Sequence, residues 1–473
     1  MLQQTFFFLL LFFSFFLYSC DGNVLLSADA SENISFDANT RLFTARINLD
    51  SVIKTIDDRF LSLTLDTSII RHDWAHFDTS SVKLKTLAKG LSPVYLRLGG
   101  TSCDFLIFRD TEEIGKKIDF ANNDAPDWED LEKPVTTKFN MTMFDWVYVN
   151  KFVRSVPDWL LVFDLNVLQR TNNAWDPSIN ASSLLHQSAA KGYCLAGLEL
   201  GNEPDAFHHL LGYSIDPTVL GKDFRRLSKF RSQVPCMDQS LVIGPDVTAQ
   251  TMRKRRHEQF LRNFLQEAHA SLDAVTIHHY YVNGRKATAD QFMDSYILDS
   301  FHDELDVAFN ILEKTSPGKP LWLGETSSAF GGGSIGLSDT YIAGFMWMDK
   351  LGISARKGVK VVMRQSFYKG HYALLDFRTL DPRPDYWLSL LFKRLVGNTV
   401  LDLSINDQER KVRMYAHCTQ WHRDSSYTNH SLTVYGMNLY EEDIQLKLSQ
   451  FASDQELHIY KLEPRGPDGI FSQ

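Results

Sequence analysis

Eight short apolar runs, each followed by a polar or amphipathic stretch, recur along residues 60–365 and constrain this chain more than any other feature. They lie at 60–66, 95–99, 160–168, 195–200, 241–244, 274–278, 321–324 and 359–365, with helix-like segments such as 224–231, 258–268 and 303–314 between them. A continuous apolar run bounded by polar turns reads as a strand buried on both faces. Such strands lie in parallel sheets joined by crossover helices. Eight of these units are the number that closes a (β/α)8 barrel, an α/β fold that takes about 250 residues or more. A doubly wound open sheet gives the same alternation and is the alternative.

After the helix-like stretch 386–395 the pattern changes. Short runs at 410–417, 431–438, 444–448 and 457–462 alternate apolar with polar, as half-buried strands do. The spacing predicts a smaller all-β, sandwich-like module over 398–473 behind a barrel over 58–397. The stretch 41–49 also alternates, so the segment 21–57 is expected to pair with that module. The acidic insertion 109–139, with Pro126 and Pro134, has no period and reads as a loop or excisable linker. A length of 473 residues suits one barrel-sized domain plus a module.

The first residues run apolar from Phe6 to Tyr18 and end near Ser19-Cys20. That is too short to span a bilayer, so residues 1–20 read as a signal peptide, with a signal anchor as the alternative. Export agrees with glycosylation sequons at Asn33, Asn140, Asn180 and Asn429. Beyond Cys20 only Cys103, Cys194, Cys236 and Cys418 remain, too few for a disulfide scaffold and in no zinc spacing. Cys194 and Cys236 precede consecutive strands, so they either bridge at the barrel's lower rim or stay as two thiols. A formal net charge of -9 speaks against a nucleic-acid partner but not against a polyanionic sugar in a locally basic cleft.

A barrel works at the C-terminal ends of its strands, so polar residues closing apolar runs matter most. The run at 195–200 ends in Gly201-Asn202-Glu203-Pro204, and that at 321–324 ends in Glu325-Thr326-Ser327-Ser328. They close the fourth and seventh strands. One Asn-Glu-Pro alone would read as a solvated turn. Two glutamates at two such ends supply what glycoside hydrolysis requires. One carboxyl protonates the leaving oxygen and the other attacks the anomeric carbon, with about 5–5.5 Å between them in the retaining route. Mutual repulsion and burial are expected to keep Glu203 protonated and Glu325 ionised. His278 and His279 end an apolar strand and read as core histidines rather than metal ligands. The chemistry needs no metal and no cofactor.

Glu199-Leu200-Gly201-Asn202-Glu203-Pro204 and Trp322-Leu323-Gly324-Glu325-Thr326-Ser327-Ser328-Ala329 resemble the acid/base and nucleophile segments of the heparanase family. The resemblance continues through Gly331-Gly332-Gly333, Gly344-Phe345-Met346-Trp347, Val361-Val362-Met363-Arg364-Gln365 and Pro384-Asp385-Tyr386-Trp387. Upstream it takes in Tyr95-Leu96-Arg97, Gly244-Pro245-Asp246 and His278-His279-Tyr280-Tyr281, covering roughly residues 58 to 469. It implies that Glu203 is the proton donor and Glu325 the nucleophile, with Asn202 bonding the sugar and Tyr280 orienting Glu325. It implies cleft contacts to a uronic acid and its neighbours from Asp66, Thr101, Gly331, Gly332, Gln365 and Tyr372. Read without the family, Tyr280 and Tyr372 could equally be core aromatics.

The implied activity is a secreted endo-β-glucuronidase acting on heparan sulfate. Hyaluronan or another glucuronide as substrate, and a non-catalytic heparan-sulfate-binding homologue, are the alternatives. The partners implied are heparan sulfate or a related glycosaminoglycan and its proteoglycans, with peripheral matrix or membrane association through glycan. The chain is expected to be a monomer in the extracellular matrix or the lysosome. Arg253-Lys254-Arg255-Arg256 would suit a sulfated chain, with a solvated helix start or a dibasic processing site as the alternatives. The sequence departs from the family at Ser102 and His209, where lysines are expected. It also ends at Gln473, short of the family's last strands. The β module is therefore expected to be truncated, with an open edge and with Cys418 lacking its family partner.

Overall fold

The structure, a computed structural model, describes residues 6–12, 40–74, 76–111, 136–248, 255–420, 427, 431–448, 450–451, 456–464 and 468–473. Two strands precede the barrel, β1 (Phe6–Phe12) and β2 (Arg41–Thr55). The barrel strands are β3 (Leu61–Asp66), β4 (Val94–Gly99), β5 (Trp159–Leu165), β6 (Gly197–Leu200), β7 (Leu241–Thr248), β8 (Ala274–Asn283), β9 (Leu321–Phe330) and β10 (Val361–Tyr368). Five more follow: β11 (Val396–Ile405), β12 (Val412–Thr419), β13 (Leu432–Asn438), β14 (Ile444–Leu448) and β15 (Glu456–Leu462). Four helices matter below: α1 (Arg255–Ala268), α2 (Ser295–Thr315), α3 (Ala343–Lys357) and α4 (Pro384–Leu395).

All eight apolar runs of the sequence become parallel strands, and they close in the order β6-β7-β8-β9-β10-β3-β4-β5. Pairing of β10 with β3, Val362 opposite Leu61, closes the ring and rules out the open doubly wound sheet. Val162, Ile243, Ala274, Trp322, Val361 and Met363, from five of the barrel strands, pack as one apolar cluster, so the barrel is a filled core and not a pore. Register shifts interrupt the ladders at Gly244/Val247, Ile277/His278, Leu323/Thr326 and Arg364/Tyr368. Each falls where its strand turns from packing toward the mouth, and such bulges re-aim side chains.

The second sheet has seven strands in the order β14-β2-β11-β12-β13-β1-β15. β2 joins it as the alternation at its start predicts, antiparallel to β11 and parallel to β14. The run expected to be a leader is placed here as a strand. β1 pairs antiparallel with β13 on one side and β15 on the other, Phe6 opposite both Met437 and Leu462. A seven-residue run that is apolar on both faces can fill a central position, where both rows of backbone groups are paired. With β1 in place, β14 and β15 are the outer strands of the sheet. Cys418, expected to lack a partner, is disulfide-bonded.

The two domains meet along α3. Asp349 accepts hydrogen bonds from Arg413 Nε at 2.6 Å and Tyr415 Oη at 2.5 Å on β12. A Cβ on Gly352 would lie 2.2 Å from the Tyr415 ring, so this helix face can approach the sheet only as glycine. Cys194 and Cys236 are joined by a disulfide with Cα atoms 5.5 Å apart. The ends of the acidic insertion are drawn together by a parallel ribbon of Leu106–Arg109 with Phe139–Thr142, while 112–135 lie outside the described residues. Among the described residues no helix is long and apolar enough to cross a membrane.

Candidate active site

The end of β6 is built to present one carboxylate. Gly201 takes φ 81°, and a Cβ there would meet Val167 at 2.5 Å. Two residues on, Glu203 itself is left-handed, with φ 51° and ψ 51°. A non-glycine residue in that region stores about 1–3 kcal/mol and persists only where its surroundings fix it. Here they do. The Glu203 N–H donates to the Asp246 carbonyl at 3.0 Å, tying the turn to β7. His278 Nδ1 lies 3.1 Å from Glu203 Oε1, and its Nε2 lies 3.3 Å from Asp246 Oδ1.

That histidine is a buried cation between two acids. Burial alone would lower its pKa, but the adjacent carboxylates of Asp246 and Glu203 raise it to about 10. Burial would raise Asp246, yet Arg97 and His278 hold it down at about 2. Glu203 moves the other way. Burial raises its pKa, Glu325 and Asp205 add to this, and His278 only partly offsets it.

Glu325 sits on β9 opposite His278 of β8, one residue past the register shift in that ladder. Arg97 Nη1 donates to its Oε2 at 3.0 Å, and Tyr280 Oη donates to its Oε1 at 2.5 Å. Oxygens of Glu203 and Glu325, with a nitrogen of His278, all lie within 4.8 Å of one another. The pair is therefore close and unequal. Burial pushes the Glu203 carboxyl toward its protonated form, and Glu325 is clasped at both oxygens by Arg97 and Tyr280.

Arg97 organises the floor. It rises from β4 with Nε 2.6 Å from Glu199 and Nη2 3.0 Å from Asn202 Oδ1, and with Asp246 and Asp164 at 3.4 and 3.5 Å. Asp164, Glu199 and Asp246 cluster closely enough to hold a metal ion. The guanidinium supplies the cation they surround.

The cleft above the glutamates is lined by Asp66, Thr101, Gly331, Gly332, Gln365 and Tyr372, all of them proposed from sequence. Gln365 Nε2 donates to Tyr372 Oη at 3.1 Å, and the Tyr372 ring stacks 6.3 Å from that of Tyr280. Both tyrosines are thus cleft walls as well as buried aromatics. Asn202 Nδ2 reaches toward Thr101 Oγ1 at 3.5 Å, bracing the loop before Glu203. Ser102 is a buried part of the wall, whereas His209 is exposed.

The basic run is not brought to this cleft by any described atom. Arg253 and Lys254 lie outside the described residues, and of Arg255 and Arg256 only the backbone, at the start of α1, is described. Asn33 and Asn429 also lie outside. Asn140 is exposed on the ribbon beside the insertion, and the half-buried Asn180 uses its side-chain amide to bracket the Phe108 backbone at 2.8 and 2.9 Å.

Four residues escaped the sequence reading. Arg97 and Asp246 lie within the family-like motifs, which give them no role. A charge within an apolar strand such as 95–99 is itself a signal, because a buried cation must find partners. His278 is buried, as a core histidine is, and it also links Glu203 to Asp246. Lys369 lines the cleft and had no sequence signal at all.

Comparison with known proteins agrees with this geometry. Residues 44–352 match the profile described as glycosyl hydrolase family 79, N-terminal domain. Heparanase of Gallus gallus is 40% identical over 458 residues, covering 90% of this chain and 86% of that protein. Hyaluronoglucuronidase of Hirudo nipponia is 34% identical, covering 88% and 86%. Inactive heparanase-2 of Homo sapiens is 32% identical, covering 90% and 80%. Among solved structures, the GH51 arabinofuranosidase of Xanthomonas axonopodis pv. citri superimposes with a TM-score of 0.59 at 14% identity. It covers 81% of this chain and 83% of its own, a likeness of fold alone.

Proposed function

This chain belongs to glycosyl hydrolase family 79, and from that premise we propose that it is a secreted, retaining endo-β-glucuronidase cleaving glucuronyl linkages in heparan sulfate. The observation that carries the reading is the close, unequal pair at the barrel mouth, Glu203 and Glu325. In the first step Glu325 attacks the anomeric carbon while Glu203 gives its proton to the departing oxygen. In the second, Glu203 takes a proton from water, and that water releases the sugar from Glu325. Tyr280 and Arg97 each bond one oxygen of Glu325 and hold it aimed, so attack needs no reorganisation of the nucleophile.

The test is a pair of variants. Glu325→Gln is expected to lose turnover by at least about 10³-fold on every substrate. Glu203→Gln is expected to lose as much on heparan sulfate, yet to retain the first step on a glucuronide whose leaving group needs no proton. Wild-type turnover in either variant defeats the assignment. The presence of both carboxylates with Tyr280 and Arg97 favours catalysis over the non-catalytic alternative that inactive heparanase-2 represents.

A second reading keeps the chemistry and replaces the glycan by hyaluronan. It is favoured by the neutral Ser102 in the cleft wall and by the 34% identity to a hyaluronoglucuronidase. Product analysis on size-defined heparan sulfate and hyaluronan separates the two, and also separates internal cleavage from removal of terminal glucuronides. The secreted, glycosylated form is proposed from the apolar start and the four sequons. Amino-terminal sequencing of exported protein is expected to begin after residue 20. Protein that keeps Phe6 would instead retain β1 as a strand of the module.

A further inference from the structure

The catalytic cleft needs a cation to admit an anionic sugar, and its charge balance is unusual. Asp66, Glu203 and Glu325 line it, and Lys369 is the one basic side chain among the described lining residues. Other cations close by are committed. Arg97 lies beneath the glutamates among four carboxylates. Arg71 donates to the Thr137 carbonyl at 2.5 Å and to its hydroxyl at 3.0 Å, with its guanidinium over Phe139. Burial, with Lys369 and Arg71 nearby, holds His72 at about 4, hence neutral through most of the working range.

Lys369 follows the last residue of β10 with φ 74°, a left-handed conformation that strains a side chain carrying a Cβ. Gly370 follows at φ 103°, where a Cβ would meet the Tyr372 ring at 2.5 Å. A glycine would satisfy the turn at 369 without strain, so holding a lysine there is a feature of the site and not of the turn. The half-buried ammonium donates to Ser68 Oγ at 2.8 Å, and Ser68 N donates to Asp66 at 2.7 Å. Lys369 thus stands with Ser68 and Asp66 on the cleft wall.

We propose that Lys369 is a specificity-determining residue of this enzyme, binding an anionic substituent of the glycan, either a uronate carboxylate or a sulfate ester, through its ammonium group. The proposal rests on the glycan-cleaving reading for its ligand class and on the geometry of the wall for its location. Burial lowers the Lys369 pKa to about 8. The ammonium stays within reach of the cleft, where a charge-assisted hydrogen bond to an anion is stronger than a neutral one.

Binding in a catalytically silent background tests this without depending on turnover. A Glu325→Gln protein is titrated with a heparan sulfate hexasaccharide and with its desulfated counterpart, which keeps the uronates. Adding Lys369→Asn, a residue that tolerates left-handed backbone, is expected to weaken Kd about tenfold. Lys369→Arg, which keeps the charge, is expected to stay within about threefold. Equal weakening on both sugars identifies the carboxylate, and weakening on the sulfated sugar alone identifies the sulfate. If the asparagine form does not fold, Lys369→Gly gives the same comparison with the backbone relaxed. Unchanged affinity in the neutral variants overturns the proposal, and so does an arginine variant as weak as the asparagine one. A parent protein that binds neither sugar overturns it together with the proposed substrate. Binding that depends on Lys369 beside a wild-type enzyme that cleaves neither sugar defeats only the reaction.

Discussion

Arg97 and Lys350 are both fully buried cations beside the strand that carries Glu325, and opposite surroundings hold them. Arg97 lies inside the barrel among Glu199, Asp246, Asp164 and Glu325. Burial would weaken its charge, but the carboxylates raise its pKa further above the usual arginine value. Lys350 projects from α3 on the outside of the same strands. It donates to the Ser327 carbonyl at 2.6 Å, Thr326 Oγ1 at 2.7 Å and the His279 carbonyl at 3.2 Å, under the rings of Tyr281 and Phe301. Burial and Arg364 lower its pKa well below the usual lysine range, which Glu304 and Asp349 only partly oppose. One cation balances charge; the other clamps two strands by neutral acceptors. The residue before Lys350, Asp349, is fixed by Arg413 and Tyr415 of the β module. Helix α3 therefore braces the nucleophile strand against the second domain.

The largest expected effect is on the inner cation. Arg97→Met removes the charge from among four carboxylates and leaves them facing one another. Breaking a buried ion pair costs about 3–5 kcal/mol, and loss of the Glu325 clasp is expected to cut kcat by at least about 10². Urea denaturation and steady-state kinetics measure the two. A stability change under about 1 kcal/mol would mean that the carboxylates carry protons of their own, and the contrast with Lys350 would collapse.

An intermediate effect is expected at the outer cation. Lys350→Met keeps the length of the side chain and the contact with both rings, and it leaves no carboxylate exposed to new repulsion. Its cost is the unmet acceptors Ser327 O and Thr326 Oγ1, about 1–3 kcal/mol. Slackening of β8 against β9 moves Tyr280 relative to Glu325, so kcat is expected to fall about tenfold with KM nearly unchanged. A merely structural lysine would lower stability and leave kcat per folded molecule untouched. A loss equal to that of Arg97→Met would erase the distinction.

The sequence makes the barrel legible because eight apolar runs need two covered faces each and eight such units are the number that closes a ring, while the pairing of β10 with β3 that excludes the open sheet is visible only in the structure. It makes Glu203 and Glu325 legible because each ends such a run in polar residues. Their partners are harder to read. Arg97 is conspicuous in an apolar strand, but which acids surround it depends on the stagger of four strands around the ring. His278 looks like any histidine closing a strand until the shift at Ile277/His278 turns it toward Glu203. Lys369 is a surface lysine by composition, and only the left-handed turn after β10 brings it into the cleft. Phe6–Phe12 shows the converse limit. A run of phenylalanine and leucine suits a leader and a central strand equally, because both need only unbroken apolarity.

The smallest expected effect concerns a third buried cation, His278, which shares features of the other two. Like Arg97 it sits between carboxylates, and unlike Arg97 it can lose its proton. Glu203 must be protonated to release the leaving group, so kcat/KM falls as pH rises through its pKa. Burial raises that pKa and His278 lowers it. Replacing His278 by asparagine keeps a hydrogen-bonding side chain but removes the charge, so Glu203 holds its proton to higher pH. The basic limb of the kcat/KM profile is expected to move upward by as much as about one pH unit. Stability gives an independent sign. A pKa raised from about 6.5 to about 10 on folding means that the His278 contribution is complete below pH 6.5 and is lost as pH rises through 10. Wild-type protein should therefore lose stability between pH 6.5 and about 10 relative to His278→Asn, followed by urea midpoints across that range. A basic limb that stays in place, or that moves toward acid, would show that His278 is neutral beside Glu203 and that Arg97 alone sets the charge of the floor.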